Sequence, residues 1–208
     1  MLIKKHDAAI SEDEWKSFLA SCDFGELIAS GRGRDVPIVV PTHFIYDGDR
    51  IIRLHLAAPN PVWGALAENP LALVSVYGDY SYIPTHWNAN QGAPIEYGVP
   101  TSYYAAVQAI VRTRTVDDPE ELAAILRGQL AHFQPEGGHA PVEPDNDYGK
   151  LFGSIRGIVC TIEDVRAKFK YGGNKTVEHR LQIANALATR DQGYDAAARA
   201  QLLRRTES

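Results

Sequence analysis

The stretch IVVPTHFIY (residues 38–46), broken by Asp47-Gly48-Asp49 and followed by RIIRLHLA (residues 50–57), decides the fold class. Both runs are rich in β-branched and aromatic residues, and an Asp-Gly pair between two such runs is a strong local signal for a hairpin. In the second run Ile52, Leu54 and Leu56 alternate with Arg53 and His55, so one face of the strand is apolar and the other semi-polar. A sheet face of that second kind meets solvent, a partner subunit or a ligand. Working outward, Glu26–Ser30 and Leu71–Tyr77 read as strands, as does Gly157–Val165. Tyr103–Val116 reads as a long strand, although its Ala-rich middle also allows a helix. Helices are expected over Ser11–Ala20, Pro61–Glu68, Asp118–Gln134, Thr176–Ala188 and Tyr194–Arg205. Ser11 with Glu14 has capping-box spacing, and Asp118-Pro119-Glu120-Glu121 opens a helix with acid against the dipole. Loops are expected over Asn88–Gly98 and Pro135–Asp147. Five to seven strands with peripheral helices, and no alternating βαβ run, point to a mainly β (α+β) antiparallel barrel rather than a doubly wound sheet.

The composition narrows the class. In 208 residues, 45% are hydrophobic and 23% charged, which excludes a disordered or fibrous chain. No apolar run approaches the roughly 20 residues of a membrane-spanning helix, and the first residues carry no export signal, so a cytoplasmic location is expected. Cys22 and Cys160 stand far apart and read as buried thiols. The net charge of −5 conceals a split: residues 1–149 hold 10 basic and 20 acidic residues, residues 150–208 hold 11 and 6. That places −10 before position 150 and +5 after it, a mild pointer to an anionic partner for the C-terminal quarter. A solvated helical surface would carry the same charges.

Familiar chemical motifs are missing: no GxGxxG, GxxxxGK[ST], HExxH or GxSxG occurs. His132 and His139 flank a Pro-Gly-Gly loop and could ligate a metal, but the histidines include no i,i+4 pair and no metal site is expected. Three clusters remain. In the first, His55 precedes Asn60-Pro61-Val62-Trp63, where a strand end feeds a helix start: Asn60 can cap the helix and Trp63 can form a flat wall. A proline-opened helix with a core tryptophan reads equally well. In the second, Tyr80, Tyr82 and Trp87 could sandwich a planar ring, or form an aromatic corner at a dimer interface. In the third, Lys170, Asn174 and Lys175 surround Gly172-Gly173, a grouping suited to an anion or to a helix-opening loop with solvated lysines.

Together these residues, with Val99-Pro100-Thr101, Tyr104, Ala106-Val107 and Gly157-Ile158-Val159, resemble the PaiB-type family over most of residues 15–188. That family, called negative transcriptional regulators, belongs to the FMN-binding split-barrel superfamily. The resemblance implies a six-stranded split β-barrel, a homodimer with FMN at the subunit boundary, and transcriptional repression. It implies a split-barrel domain over residues 1–165, including the 118–134 helix, with a basic C-terminal segment 166–208 packed on it. FMN contacts carry over to His55, Asn60, Trp63, Tyr82, Trp87, Lys170, Asn174 and Lys175, and from the wider superfamily to Thr42 and His43; no catalytic residue carries over. Oxidase-type relatives place Arg-Lys in the strand–helix turn for the flavin phosphate, but here Pro61-Val62 stands there, so Lys170 and Lys175 are the expected cations. The chain departs from the family at Ser102-Tyr103 (for Trp-Asn), at Pro84-Thr85-His86 and at Tyr171-Gly172-Gly173 (for Leu-Ser-Gln). With a pI near 5.8 and no evident helix-turn-helix, direct DNA reading is weakly supported. A flavin-dependent oxidoreductase acting on a small molecule is the alternative, and a tetrapyrrole binder with His55 or His43 as axial ligand is a third.

Overall fold

The expected hairpin forms, but with a break that adds a strand. In a computed structural model of the protein, β2 (Ile38–His43) stops at Phe44 and β3 (Ile45–Tyr46) resumes after it, pairing antiparallel with β4 (Ile51–Ala57). The Asp47 carboxylate accepts the backbone N–H groups of Asp49, Arg50 and Ile51 at 2.9–3.0 Å, and Gly48 adopts φ +88°, the turn chemistry an Asp-Gly pair supplies. Phe44 buries its ring, 1% exposed, and donates its N–H to the Asp23 carbonyl at 2.9 Å. The run 38–46 therefore serves two neighbours: β2 pairs with β1 (Phe24–Ala29), and β3 pairs with β4. Among the described residues the sheet has seven strands, in the order β2-β1-β5-β6-β7-β4-β3, within the five to seven read from the pattern and correcting the six that the resemblance implies. Its registered pairs, β1–β2, β1–β5, β3–β4 and β4–β7, are antiparallel.

The structure describes residues 1–90 and 92–206. Gln91, in the expected 88–98 loop, and Glu207 and Ser208, in the expected 166–208 segment, lie outside the described residues. Three long strands, β5 (Leu71–Ile83), β6 (Thr101–Val116) and β7 (Ile155–Lys170), each contribute to two compact units. The hairpin unit comprises Trp15–Val76 and Gln108–Arg166; the terminal unit comprises Met1–Glu14, Tyr77–Val107 and Ala167–Ser208. The strand expected to end at Tyr77 continues to Ile83 through a kink at Asp79, whose φ is +52°.

In the hairpin unit, α4 (Pro119–Phe133) lays Leu122, Ala123 and Ile125 into a core with Val116, Val142 and Phe152. Asp118 caps this helix by accepting the Glu121 N–H at 2.9 Å. Gly157 on β7 lets the helix approach, since a Cβ there would sit 2.9 Å from Ile125 Cδ1. Cys160 is fully buried and its thiol is pushed up to about 12 by burial, so it stays protonated and inert. Among the described residues no helix is long and apolar enough to cross a membrane, and no group of three or more candidate metal ligands exists.

In the terminal unit, α5 (Val177–Arg190) and α6 (Asp195–Arg204) are tied to the strand end by Asp195, which is 2% exposed. Its carboxylate receives two bonds from the Arg190 guanidinium, at 2.6 and 2.7 Å, and one from the Ser81 hydroxyl at 2.7 Å. The Arg190 bonds, outweighing burial and aided by Ser81, hold the carboxyl at about 2 rather than 3.8. A depressed pKa stabilises the fold above the unfolded value, and that stability drains as pH falls from about 3.8 towards 2. Asp195→Asn should therefore cost about 2 kcal/mol at neutral pH, with the gap to the native protein closing below pH 3. Urea unfolding at pH 6 and pH 2.5 checks this; a gap that does not change with pH would refute it.

Candidate functional site

The hairpin unit carries an apolar cavity of about 420 Å³. Helical periodicity puts Leu126, Gln129, Leu130 and Phe133 of α4 on one side of it, while β2 and β4 supply His43 and His55. His55 lies on the strand face opposite Leu54 and Leu56, as its alternation requires. Its Nδ1 meets the Gln129 side-chain oxygen at 2.6 Å, so Nδ1 carries the proton. The other half of that amide, Nε2, is buried with no hydrogen-bond partner, in a residue 4% exposed. In this orientation the amide presents its oxygen to His55 and leaves its N–H donor over. The His43 ring stands edge-on to His55 at 5.4 Å and to Phe133 at 5.2 Å. Burial, and then repulsion from His55, holds its pKa below the usual imidazole value against the pull of Asp23, so His43 is neutral at pH 7. No lysine or arginine lines this cavity.

The other expected contacts in this unit do not line it. Thr42, 6% exposed, donates its hydroxyl to the His43 carbonyl at 3.0 Å. Asn60 accepts the Val62 N–H at 3.0 Å and opens α2 (Val62–Glu68), a helix of seven residues. Trp63 is 9% exposed; its indole N–H donates to the Ala57 carbonyl at 3.0 Å and the Arg156 guanidinium lies 4.8 Å from its ring centroid. In this arrangement Asn60 and Trp63 hold the strand-to-helix turn.

The terminal unit carries a second cavity of about 480 Å³, and Lys170, Asn174 and Lys175 all line it. Lys170 Nζ donates to Thr101 Oγ1 at 2.6 Å; Lys175 Nζ donates to the Asn88 carbonyl at 2.9 Å and to Asn90 Oδ1 at 2.8 Å. Burial pulls the Lys175 pKa down, although its amine has oxygen partners. Tyr103, 2% exposed, also lines this cavity, and its hydroxyl has no hydrogen-bond partner. Tyr82 and Trp87 do not line it. Tyr82 is 48% exposed, and Trp87, on α3 (Thr85–Asn88), stacks under the Arg190 guanidinium at 4.6 Å while its carbonyl meets His179 Nε2 at 2.8 Å. Trp87 lines a smaller cavity of about 310 Å³ with His86 and His179.

The sequence profile of a family described as "Putative FMN-binding domain" matches residues 1–164. The chain belongs to this FMN-binding domain family. No curated protein matches the sequence. Among solved structures, a flavocytochrome from Azotobacter vinelandii is similar with a TM-score of 0.60 at 18% identity, over 82% of this chain and 73% of that one. A protein described as a "putative 5-nitroimidazole antibiotic resistance protein" from Bacteroides thetaiotaomicron gives 0.59 at 11%, over 77% and 85%. An FAD- and heme-binding protein from Mycobacterium smegmatis gives 0.58 at 15%, over 84% and 78%. At such identities the likeness is one of fold.

FMN joins a flat ring with an acceptor-rich edge to a dianionic phosphate, and residues of the hairpin unit fit the ring. The hairpin-unit cavity offers apolar walls, the neutral His43 imidazole and the unpartnered Gln129 donor, which suit a ring but leave a phosphate without a lysine or arginine. The terminal-unit cavity offers lysines and the unpartnered Tyr103 hydroxyl, which suit a phosphate. Neither Gln129 nor Tyr103 is among the residues expected from sequence. A signal existed for Gln129: it is the polar residue on a helix face otherwise made of Leu122, Ile125, Leu126, Leu130 and Phe133. For Tyr103, alternation along β6 gives burial but not the missing partner.

Proposed function

We propose that the chain is an FMN-binding split-barrel homodimer with a flavin-linked redox or regulatory role, the ring lying in the His43–His55 cavity of the hairpin unit. The observation that carries this is the Gln129 amide: a buried donor without a partner, held in place by His55, at the wall of an apolar cavity in a member of an FMN-binding family. Bound flavin supplies electron or hydride transfer, chemistry for which the chain itself carries no motif. Gln129 would donate to an acceptor on the ring edge, and His55 would fix the direction of that amide by donating to its oxygen. His43 and Phe133 would exclude water from one side, and neutral His43 adds no charge beside the ring. Leu126 and Leu130 supply the apolar floor. The homodimer comes from the family resemblance.

A regulatory role is better read through flavin redox state or a protein partner than through a DNA groove. In the basic C-terminal quarter, Arg190 pairs with Asp195, and Arg204 and Arg205 pair with Glu14. Those charges are spent inside the fold. The alternative, an oxidoreductase acting on a small molecule without DNA binding, uses the same cavity.

The test is titration of the purified protein with FMN, followed by flavin fluorescence and the visible spectrum. Quenching with a perturbed visible band is expected, and Gln129→Leu should weaken binding about tenfold, the worth of one buried hydrogen bond. A flavin spectrum identical to that of free FMN would sink the reading, and a Soret band on adding heme instead would give the cavity to a tetrapyrrole. A gel shift on promoter DNA with a steep salt dependence would restore direct DNA binding.

A further inference from the structure

The charges facing the terminal-unit cavity are unbalanced. Lys4, Lys168, Lys170 and Lys175 line it, with His6, against the single carboxylate of Asp7, which sits 3.8 Å from the His6 imidazole. Lys168 donates to the Leu2 carbonyl at 3.0 Å, Lys170 to a threonine hydroxyl and Lys175 to carbonyl oxygens, so none of these three has a carboxylate as its hydrogen-bond partner here. The remaining titratable groups on the wall are the phenols of Tyr97 and Tyr103. Burial pushes the Tyr103 phenol up to about 12, so it is a proton-bearing donor at any working pH. A nearly fully buried donor left unpaired costs stability, unless an acceptor reaches it from the cavity.

The same hydroxyl explains two departures from the family pattern together. The resemblance places asparagine at position 103 and serine at position 172. Here position 103 is tyrosine, and a Cβ at Gly172 would fall on the Tyr103 hydroxyl and 3.1 Å from its ring Cζ. Gly172, at φ +70°, clears the room that the phenol fills. Gly173 likewise admits the backbone of His6, whose carbonyl oxygen a Cβ would strike. The glycine pair thus brings a hydroxyl donor and the N-terminal segment to the lysines.

We propose that this cavity is a phosphate-monoester site, with Lys170 and Lys175 carrying the countercharge and the Tyr103 hydroxyl donating to a phosphate oxygen. A dianion matches several lysines plus a neutral donor. Nucleic acid needs a basic track along many phosphates, whereas these cations are gathered in one cavity of about 480 Å³, enough for one phosphate and a small molecule bearing it. The site lies within the terminal unit alone and so stands apart from the flavin reading: the phosphate belongs to a separate phosphorylated small molecule.

The test uses the full chain and three probes, inorganic phosphate, FMN and riboflavin, on the native protein, Tyr103→Phe and Lys170→Met/Lys175→Met. Near-UV circular dichroism checks folding, and sodium chloride controls for ionic strength. Inorganic phosphate should raise the melting temperature of the native protein beyond the chloride control; the lysine double variant should lose that rise, and Tyr103→Phe should weaken phosphate binding about tenfold. FMN binding roughly hundredfold tighter than riboflavin, with inorganic phosphate competing against it, would overturn the assignment to a separate molecule. Equal binding of FMN and riboflavin, with the lysine-dependent phosphate effect intact, assigns the site to a separate phosphorylated molecule. Failure of both flavins to bind, with that effect intact, removes the flavin reading and leaves this site standing. A phosphate effect that is absent, or that survives in the double variant, overturns the proposal.

Discussion

Glu14→Ala should destabilise the protein by about 3–5 kcal/mol, the cost of breaking a buried ion pair from one side. The Glu14 side chain is 2% exposed and that of Arg205 is 8% exposed. Arg205 Nη1 donates to both carboxylate oxygens at 2.6 and 2.7 Å, Arg204 donates to one at 2.5 Å, and the Ile10 N–H donates to the other at 2.7 Å. Removing the carboxylate leaves the Arg205 charge buried without a counterion, with the Ala8 carbonyl at 2.9 Å still accepting from it. Burial alone would raise the Glu14 pKa, but the bonds from Arg205, Ile10 and Arg204 outweigh it and hold the group below the usual carboxylate value. That contribution is present above the ordinary glutamate pKa and is lost as pH falls through the lower folded value. Glu14→Gln keeps an acceptor and should cost less than alanine. Urea unfolding at pH 7 measures both; a loss under 1 kcal/mol for Glu14→Ala would show the pair to be dispensable.

Gly172→Ala should cost about 2–4 kcal/mol, because two penalties coincide. The residue lies in the left-handed region at φ +70°, and its new methyl would overlap the Tyr103 hydroxyl. Tyr103 cannot swing aside easily: it is 2% exposed and packs edge-on against Tyr171 at 5.9 Å. Tyr103→Phe removes the obstructing oxygen while leaving the ring, so the double variant should be more stable than the sum of the single losses by about 1 kcal/mol. A double-mutant cycle reads this directly. Additivity within about 0.5 kcal/mol would mean that the two positions do not share the space.

The local chemistry of the chain was legible. Asp47-Gly48 announces the hairpin, Asp118-Pro119 the start of α4, and Ser11 with Glu14 the start of α1 (Glu12–Ala20), where the Glu14 N–H donates to Ser11 Oγ at 3.2 Å. FMN as the cofactor was legible through a set of short motifs, and the family match bears it out. The hairpin and helix-start signals each lie within a few residues, in a turn preference or a cap, whereas the cofactor came from the resemblance.

Longer-range pairings were not. No window around residue 44 reveals that Phe44 will bond Asp23 and divide one run between two partners. The β5 extension past Tyr77 is held by groups distant in sequence, for Asp79 accepts from Gln201 at 2.8 Å and Ser81 donates to Asp195. The surplus of basic residues after position 150 suggested an anionic partner, yet its arginines reach carboxylates as remote as Glu14, and only the geometry separates these spent charges from the lysines of the cavity. Glu14 itself was visible as a capping residue but not as the anchor of Arg205. By itself, then, the sequence determined the antiparallel class and the main local elements, because periodicity and turn chemistry are properties of neighbouring residues, and its resemblance to a family supplied the cofactor. The tertiary structure alone decided the seventh strand, the partnering of Gln129 with His55 and the unpaired Tyr103 hydroxyl. Those depend on which distant side chains share a volume, and burial counts the hydrogen bonds there only after the chain has folded.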